Sequence, residues 1–395
     1  MSPAHYDVIV AGAGMVGASA ALALAARGMR VALIEALSAP EPMPSDAWLE
    51  FDLRVSAISP RSRQLLRQLG VWQKLDATRI CNYEQMHVWH QHGDASVSFD
   101  AVDLARDDLG SIVENRMLQQ TLQRACDAEA RIEWFRPDRI ETLIENTREG
   151  VQLRLDSGRI LDGALLIAAD GRHSPTRELA GMEIQAGSYR QSAIVVNVST
   201  ELPHRHTAWQ RFLASGPLAF LPLANGQSSI VWSCDEELAE QLSVLDEVAF
   251  CAALSSAFEH RLGAVTACSE RRGFALGWHH CERWLQDRVL LIGDAAHAVH
   301  PLAGQGVNQG FSDVELCAQL IGDCRGQVAQ QQLRRFERQR KSESWLAGNS
   351  FSALKWIYGL EQGGITQLRD LGMRIVDATP CLKRGMIGKA VNNIT

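Results

Sequence analysis

The sequence predicts an α/β fold: a nucleotide-binding domain built on a parallel sheet, interrupted by a mixed β-sheet domain and followed by a helical C-terminal segment. Three observations predict it. An apolar strand, a glycine-rich turn, a helix and a second apolar strand succeed one another over residues 6–35. Short apolar runs of the same buried, parallel type return at residues 164–169 and 288–292. Between these returns, residues 192–232 are rich in β-branched and aromatic residues (AIVVNV, PLAFLPL, SSIVWS), and residues 236–262 carry a helical pattern.

In chain order, residues 6–11 read as a strand, 16–27 as a helix stopped by Gly28, and 30–35 as a second strand, which together make one βαβ unit. The run from Val8 to Ala26 lacks any charge and approaches membrane-spanning length. Its strand-like VIVA, its spaced glycines and the acidic Asp7 before it argue instead for a buried strand, turn and helix. Proline-rich residues 40–44 read as a loop, and residues 60–69 as an amphipathic helix ended by Gly70. Residues 81–100 alternate as antiparallel strands do, 115–128 read as a helix, and 151–163 as a hairpin feeding the strand at 164–169. From residue 307 the chain reads as helical, with LRRFERQRKSE as a solvated face. The expected division is a discontinuous nucleotide-binding domain (1–75, 105–180 and 275–345), a substrate domain (76–104 and 181–274) and a C-terminal helical segment (346–395).

With 395 residues, 46% of them hydrophobic, the chain can fill two adjoining cores. The net charge of −7 offers no basic excess for nucleic-acid phosphates, so no nucleic-acid partner is expected. Nine scattered cysteines, with no C-x-x-C pair, argue against a disulfide framework or zinc knuckle and suit a reducing cytoplasm. The histidines at 87, 90 and 92, and at 297 and 300, lack acidic or thiol neighbours at ligand spacing, so no metal site is expected.

Three turns carry the chemistry. Gly12-x-Gly14-x-x-Gly17 follows a strand and opens a helix, with Glu35 at the end of the next strand. The glycines permit a tight turn and close approach of a pyrophosphate, the helix start presents amides and a positive dipole end, and Glu35 can accept bonds from a ribose. Alone, this motif leaves FAD and NAD both open. Asp170-Gly171 and Gly293-Asp294 each follow an apolar strand, where an aspartate can accept bonds from sugar-type hydroxyls. The glycine-rich run Gly304-Gln305-Gly306-Val307-Asn308 leads into a helix and would bring backbone amides to an electron-rich atom. No Ser/His/Asp or paired-carboxylate arrangement is evident, which suits cofactor-driven chemistry.

In this order and spacing the three motifs resemble those of the class A FAD-dependent monooxygenases, whose fold is like that of p-hydroxybenzoate hydroxylase. Arg54-Val55-Ser56-Ala57-Ile58-Ser59, Val113-Glu114-Asn115-Arg116, Gly216-Pro217-Leu218-Ala219-Phe220-Leu221-Pro222-Leu223 and His300-Pro301-Leu302-Ala303-Gly304-Gln305-Gly306 resemble the ubiquinone-biosynthesis hydroxylase branch in particular. Residues 336–340 and 371–378 look closest to the member that hydroxylates ring carbon 5 of a polyprenylphenol. The chain departs from the family loop at Gln309, where leucine is common.

The resemblance implies a Rossmann-like FAD-binding domain and hydroxylation of a polyprenylated phenol through a flavin C4a-hydroperoxide, with O2 as oxidant and NAD(P)H or a partner reductase supplying electrons. It implies cofactor-binding roles for Gly12, Gly14, Gly17, Glu35, Arg54, Arg116, Asp170, Gly171, Gly293, Asp294, Gly304, Gly306, Val307 and Asn308. Backbone catalytic roles fall to Pro301, Gly304, Gln305 and Gly306. Ser174 and Arg177 are expected to hold the Asp170 turn, and Phe220, Leu221, Trp232 and Trp209 to be ordinary sheet core, with lining of the substrate pocket as the alternative. A flavin reductase or dehydrogenase of the same fold, and a flavin-holding structural subunit, are the alternatives. A ubiquinone-biosynthesis complex, peripheral membrane contact and a homo-oligomer are further expectations.

Overall fold

The computed structural model describes residues 4–39, 51–91, 95–298, 306–322 and 328–359, together with Asp377, Thr379, Lys383 and Gly385. The proline-rich loop at 40–44 and all of 371–378 except Asp377 lie outside the described residues. The helices are α1 (Met15–Ala25), α2 (Pro60–Gln68), α3 (Asn115–Asp127), α4 (Pro175–Leu179), α5 (Glu236–Val244), α6 (Glu247–Ala257), α7 (Gly306–Ile321) and α8 (Gln330–Gly359).

A six-stranded sheet organises the first core. Its order is Leu285–Gln286, Val289–Leu291, Leu166–Ala168, Val8–Ala11, Val31–Ile34, Ile132–Phe135, and all neighbours but the first pair run parallel. Strands buried on both faces must be apolar throughout, which is why VIVA, VALI and LIA show no alternation. α1 is likewise apolar around its whole circumference, because α3 and α7 cover it against the sheet. The uncharged run from Val8 to Ala26 is thus strand, turn and buried helix, and among the described residues no helix is long and apolar enough to cross a membrane.

The second core lies on a nine-stranded sheet whose backbone strands are Arg272–Cys281, Ile184–Thr200, Ser228–Asp235, Gly216–Pro222, Thr207–Leu213 and Gln85–His90. One residue in two along these strands faces α5 and α6, so Ile194, Val196, Leu218, Phe220, Ile230 and Trp232 pack with Phe250 and Leu254. On the other face Leu221 and Val231 join Tyr83, Ile112 and Phe51 in a smaller cluster. Phe220, Leu221 and Trp232 are indeed buried sheet core, and Trp209 packs half-buried beside them. The Gln85–His90 strand pairs in parallel with Thr207–Leu213 and so stitches an early segment to the later sheet.

The helical C-terminal stretch departs from expectation. Leu333 and Phe336 are fully buried and Arg340 is only 4% exposed, so LRRFERQRKSE presents a packed face in addition to the solvated one formed by Arg334, Arg335 and Arg338. Leu333, Phe336 and Arg340 share one side of α8, which lies against α7 and the Leu285–Gln286 strand. The charge of Arg340 hid an inward position because its partner, Asp313, is remote in sequence.

A second ion pair ties the three-stranded sheet Val55–Ile58, Gly110–Glu114, Cys81–Tyr83 to the chain around it. Arg79 donates to both oxygens of Glu114 at 2.6 and 2.7 Å, with side chains only 6% and 3% exposed, and Glu114 also accepts the Asp52 amide at 2.6 Å. Removing one partner strands the other charge, so Glu114→Ala should lower unfolding free energy by about 3–5 kcal/mol, read as a fall in the urea midpoint.

Candidate active site

Three turns meet because three strands are neighbours. Leu166–Ala168 pairs with Val8–Ala11 on one side and Val289–Leu291 on the other, all parallel, so the residues following each strand emerge at one sheet edge. Gly12 has φ +92°, and a Cβ there would stand 2.7 Å from both the Ala169 carbonyl oxygen and the Asp170 Cα. A Cβ at Gly17 would stand 1.9 Å from the Gly12 carbonyl oxygen. Gly14 differs: nothing lies within 4 Å of its Cβ direction, and the start of α1 carries neither a side-chain cap nor an acidic residue in its first turn. Glu35 curls back on this turn, accepting the Ala13 amide at 2.7 Å and the Leu37 amide at 3.1 Å.

Asp170 accepts the Ser174 hydroxyl and, at 3.0 Å, the Thr176 amide, so its carboxylate holds the start of α4. Arg177 donates to the carbonyls of Arg172 at 3.1 Å and Ala295 at 3.0 Å, tying the Asp170 turn to the Gly293 turn. Ser174 and Arg177 therefore hold this corner, as expected.

At the third turn, Gly293 has φ +58° and donates its amide to Asp313 at 2.7 Å. The Asp294 carbonyl accepts His279 Nε2 at 2.8 Å, from a strand of the large sheet. Asp294 is exposed, yet protein crowds round its carboxylate. That crowding raises its pKa above the ordinary carboxylate value, with His297, Arg54 and Arg172 opposing the rise. Arg54 and Arg172 thus share the neighbourhood of Asp294. Arg172 lies beneath the Arg272–Cys281 strand, its Nη2 2.5 Å from where a Cβ on Gly277 would be.

Arg54 and Arg116 are brought together by strand pairing, since Val55 opposes Glu114 and the Asn115 amide donates to the Arg54 carbonyl at 2.9 Å. Both side chains are exposed. α3, which begins beside Arg116, reaches the glycine turn through Gln123, whose Nε2 donates to the Ala13 carbonyl at 2.8 Å.

Pro301, Gly304 and Gln305 lie outside the described residues. Gly306 opens α7 and is exposed, with open space in its Cβ direction, and Val307 packs half-buried on the first core. Asn308 is buried, and its side chain is spent on the strand before α2: Nδ2 donates to the Ala57 carbonyl at 2.8 Å and Oδ1 accepts the Ser59 amide at 2.9 Å. Any contact of Asn308 with a cofactor would be through its backbone. Gln309 carries a buried Oε1 with no hydrogen-bond partner among the described residues.

Sequence reasoning did not select Arg172, His279, Asp313 or Arg340. His279 is one residue of an alternating strand, and Asp313 and Arg340 are ordinary helix residues until two helices cross. The one available signal was an aspartate on the apolar side of α7.

These residues fit FAD. An uncapped helix start beside empty space at Gly14 suits a diphosphate, Glu35 suits an adenosine ribose, and an exposed aspartate that feels the charges of two arginines suits a hydroxylated chain ending in phosphate. Among the described residues no group of three or more His, Cys, Asp or Glu side chains is placed to hold a metal.

A family model described as an FAD binding domain matches residues 5–349. The 3-demethoxyubiquinol 3-hydroxylase of Escherichia coli is 33% identical over 382 residues, covering 96% of each chain. The human mitochondrial ubiquinone biosynthesis monooxygenase COQ6 is 33% identical over 444 residues, covering 98% of this chain and 92% of that one. Among solved structures, PqsL of P. aeruginosa superposes with a TM-score of 0.78 at 21% identity, covering 93% of this chain and all of that one. The p-nitrophenol 4-monooxygenase PnpA of Pseudomonas putida gives 0.76 at 16% identity, covering 98% of each. At such identities the structures speak for the fold, which is that of the FAD-dependent hydroxylases.

Two predictions follow from the geometry. Gly17→Ala forces the glycine turn open and should abolish retention of FAD on purification, whereas apo Gly14→Ala should unfold within about 1 kcal/mol of the parent, because its Cβ meets nothing. Burial lowers the His279 pKa to about 4, with Arg172, Arg177 and His297 adding to the fall and the Asp294 carbonyl opposing it. The folded state thus favours neutral His279, a contribution complete above the unfolded pKa of about 6.5 and lost as pH falls towards 4. Between those limits the urea midpoint of the parent should fall more steeply than that of His279→Gln, which does not titrate.

Proposed function

We propose a function from this premise: the chain belongs to the FAD-binding domain family. It is an FAD-dependent monooxygenase that hydroxylates the aromatic ring of a polyprenylated phenol in ubiquinone biosynthesis. The observation that carries the reading is the convergence of the Gly12, Asp170 and Gly293 turns at one sheet edge, in a chain a third identical to two ubiquinone-biosynthesis oxygenases along nearly its whole length. A reductase of the same fold and a flavin-holding structural subunit gain nothing from those relatives.

Bound FAD supplies the oxygen chemistry, taking electrons from NAD(P)H or a partner reductase and delivering one atom of O2 to the ring. The chain's residues bind, orient and exclude water. The amides at the start of α1, beside Gly12, Gly14 and Gly17, face the diphosphate, and Glu35 accepts from the ribose. Asp294 accepts hydroxyls of the ribityl chain, Arg54 and Arg116 offer charge to phosphate or flavin, and Asp170 with Gly171 closes the corner behind them. The start of α7 at Gly306, preceded in sequence by Pro301, Gly304 and Gln305, would offer amides and a positive dipole end to the flavin edge that becomes negative on reduction, and Val307 and the backbone of Asn308 would add to it. The large sheet covers the ring and keeps water out, which protects the oxygen-transfer step.

The division into FAD-binding, substrate and C-terminal segments follows from the same reading. A prenyl tail asks for an apolar route between the two sheet domains and for peripheral contact with a membrane surface. The cytoplasm, a homo-oligomer and a ubiquinone-biosynthesis complex complete the proposal.

The test is the purified protein's absorption spectrum, followed by stopped-flow reoxidation of the anaerobically reduced enzyme with and without a prenylphenol. Hydroxylated phenol formed in step with reoxidation supports the reading. A yellow protein that reoxidises without product returns the choice to the reductase or structural subunit.

A further inference from the structure

We infer that Arg340 of α8 and His297, acting through Asp313 of α7, are positioning residues for the cofactor, so that the C-terminal helix sets how tightly FAD is held. The inference rests on the reading of the Gly293-Asp294 turn as part of the FAD site. Asp313 is fully buried, and every described partner of its carboxylate is part of the turn or braces it. Oδ2 accepts the Gly293 amide at 2.7 Å and His297 Nε2 at 2.9 Å, and Oδ1 accepts Arg340 Nε at 2.6 Å.

The same guanidinium donates through Nη2 to the Gln309 carbonyl at 3.2 Å, three residues into α7, and its Nη1 meets Glu343. Arg340 thereby touches, at one remove, both elements proposed to face the flavin: the Gly293 turn through Asp313, and the first turn of α7 through Gln309. His297 is fixed from its other side by stacking on Trp284, with ring centroids 4.8 Å apart and planes at 15°. The Trp284 amide in turn donates to Glu337 of α8 at 2.8 Å.

The grip falls on the Gly293 amide, one residue before Asp294, so the strut acts on the very turn that carries the Asp294 side chain. With Arg340 removed, Asp313 is a buried carboxylate short of its main counter-charge, and taking up a proton or turning towards water would each weaken its hold on the Gly293 amide. Affinity for FAD should then fall along with stability, and the two can be measured apart.

The experiment titrates apo-protein with FAD by flavin fluorescence and records melting temperatures with and without FAD, for the parent, Arg340→Met, Arg340→Lys, His297→Phe and Asp294→Ala. His297→Phe keeps the stack on Trp284 and the buried ion pair, and so serves where Arg340→Met does not fold. The inference expects Kd for FAD to rise about tenfold or more in Arg340→Met and His297→Phe, the FAD-induced rise in melting temperature to shrink in both, and Arg340→Lys to recover part of the loss. A change of less than about threefold in both variants, whatever happens to the apo melting temperature, would overturn it. Asp294→Ala separates the two levels: if it weakens FAD binding while the other variants do not, the positioning inference fails alone. If Asp294→Ala leaves affinity unchanged, the cofactor-site reading fails and the inference with it.

Discussion

The fully buried carboxylate of Asp313 is the constraint on which the rest of this molecule depends. Burial by itself would push its pKa up, but Arg340 and His297 outweigh that and hold it below the usual carboxylate range. A charge kept ionised in that position must be met from all sides, and the groups that meet it come from a sheet-edge turn, the strand after it and the C-terminal helix. The crossing of α7 and α8, the direction of the Gly293 amide and the ring plane of His297 are thus one solution to one electrostatic requirement. The inward face of α8 adds the apolar part of that solution through Leu333 and Phe336.

The second constraint is steric. The parallel sheet brings the Asp170 turn against Gly12, and α1 turns back so sharply that Gly17 sits on the Gly12 carbonyl. On the far side of α1, Gly310 lets α7 approach until its Cβ direction meets Val16 at 2.4 Å. Side chains are absent at Gly12 and Gly17 because backbone occupies their volume, and at Gly310 because the Val16 side chain does, while the start of α1 stays bare and open at Gly14. Close packing and an uncapped helix start of the kind that suits an anion occur together in one arrangement.

Much of this was legible in the sequence. Strands buried on both faces must be uniformly apolar, so the βαβ unit and the two returning strands stood out, and richness in β-branched and aromatic residues marked the large sheet from residue 192 onward. The glycine spacing with Glu35, and an aspartate after each returning strand, marked where a nucleotide cofactor would bind. Less legible was what each side chain touches. Asn308 reads as a loop ligand in sequence, yet its amide is committed to Ala57 and Ser59, about 250 residues earlier in the chain. Asp170 likewise spends both oxygens on its own helix start.

The sequence by itself determined the strand and helix identities, the three turns and the chemistry of the cofactor they suit, because these rest on local periodicity, backbone conformation and residue type. Tertiary structure alone decided which charges turn inward. Whether Arg340 faces water or a buried aspartate, whether His279 is an ordinary strand residue or a donor to the Asp294 carbonyl, and whether the charges of Arg54 and Arg172 are felt by one carboxylate depend on partners 27, 15 and more than 100 residues away. A charged residue has the same helical or strand propensity whether or not its counter-charge waits across the core, so its side is fixed only when the chain folds and the low-dielectric interior demands that the charge be met.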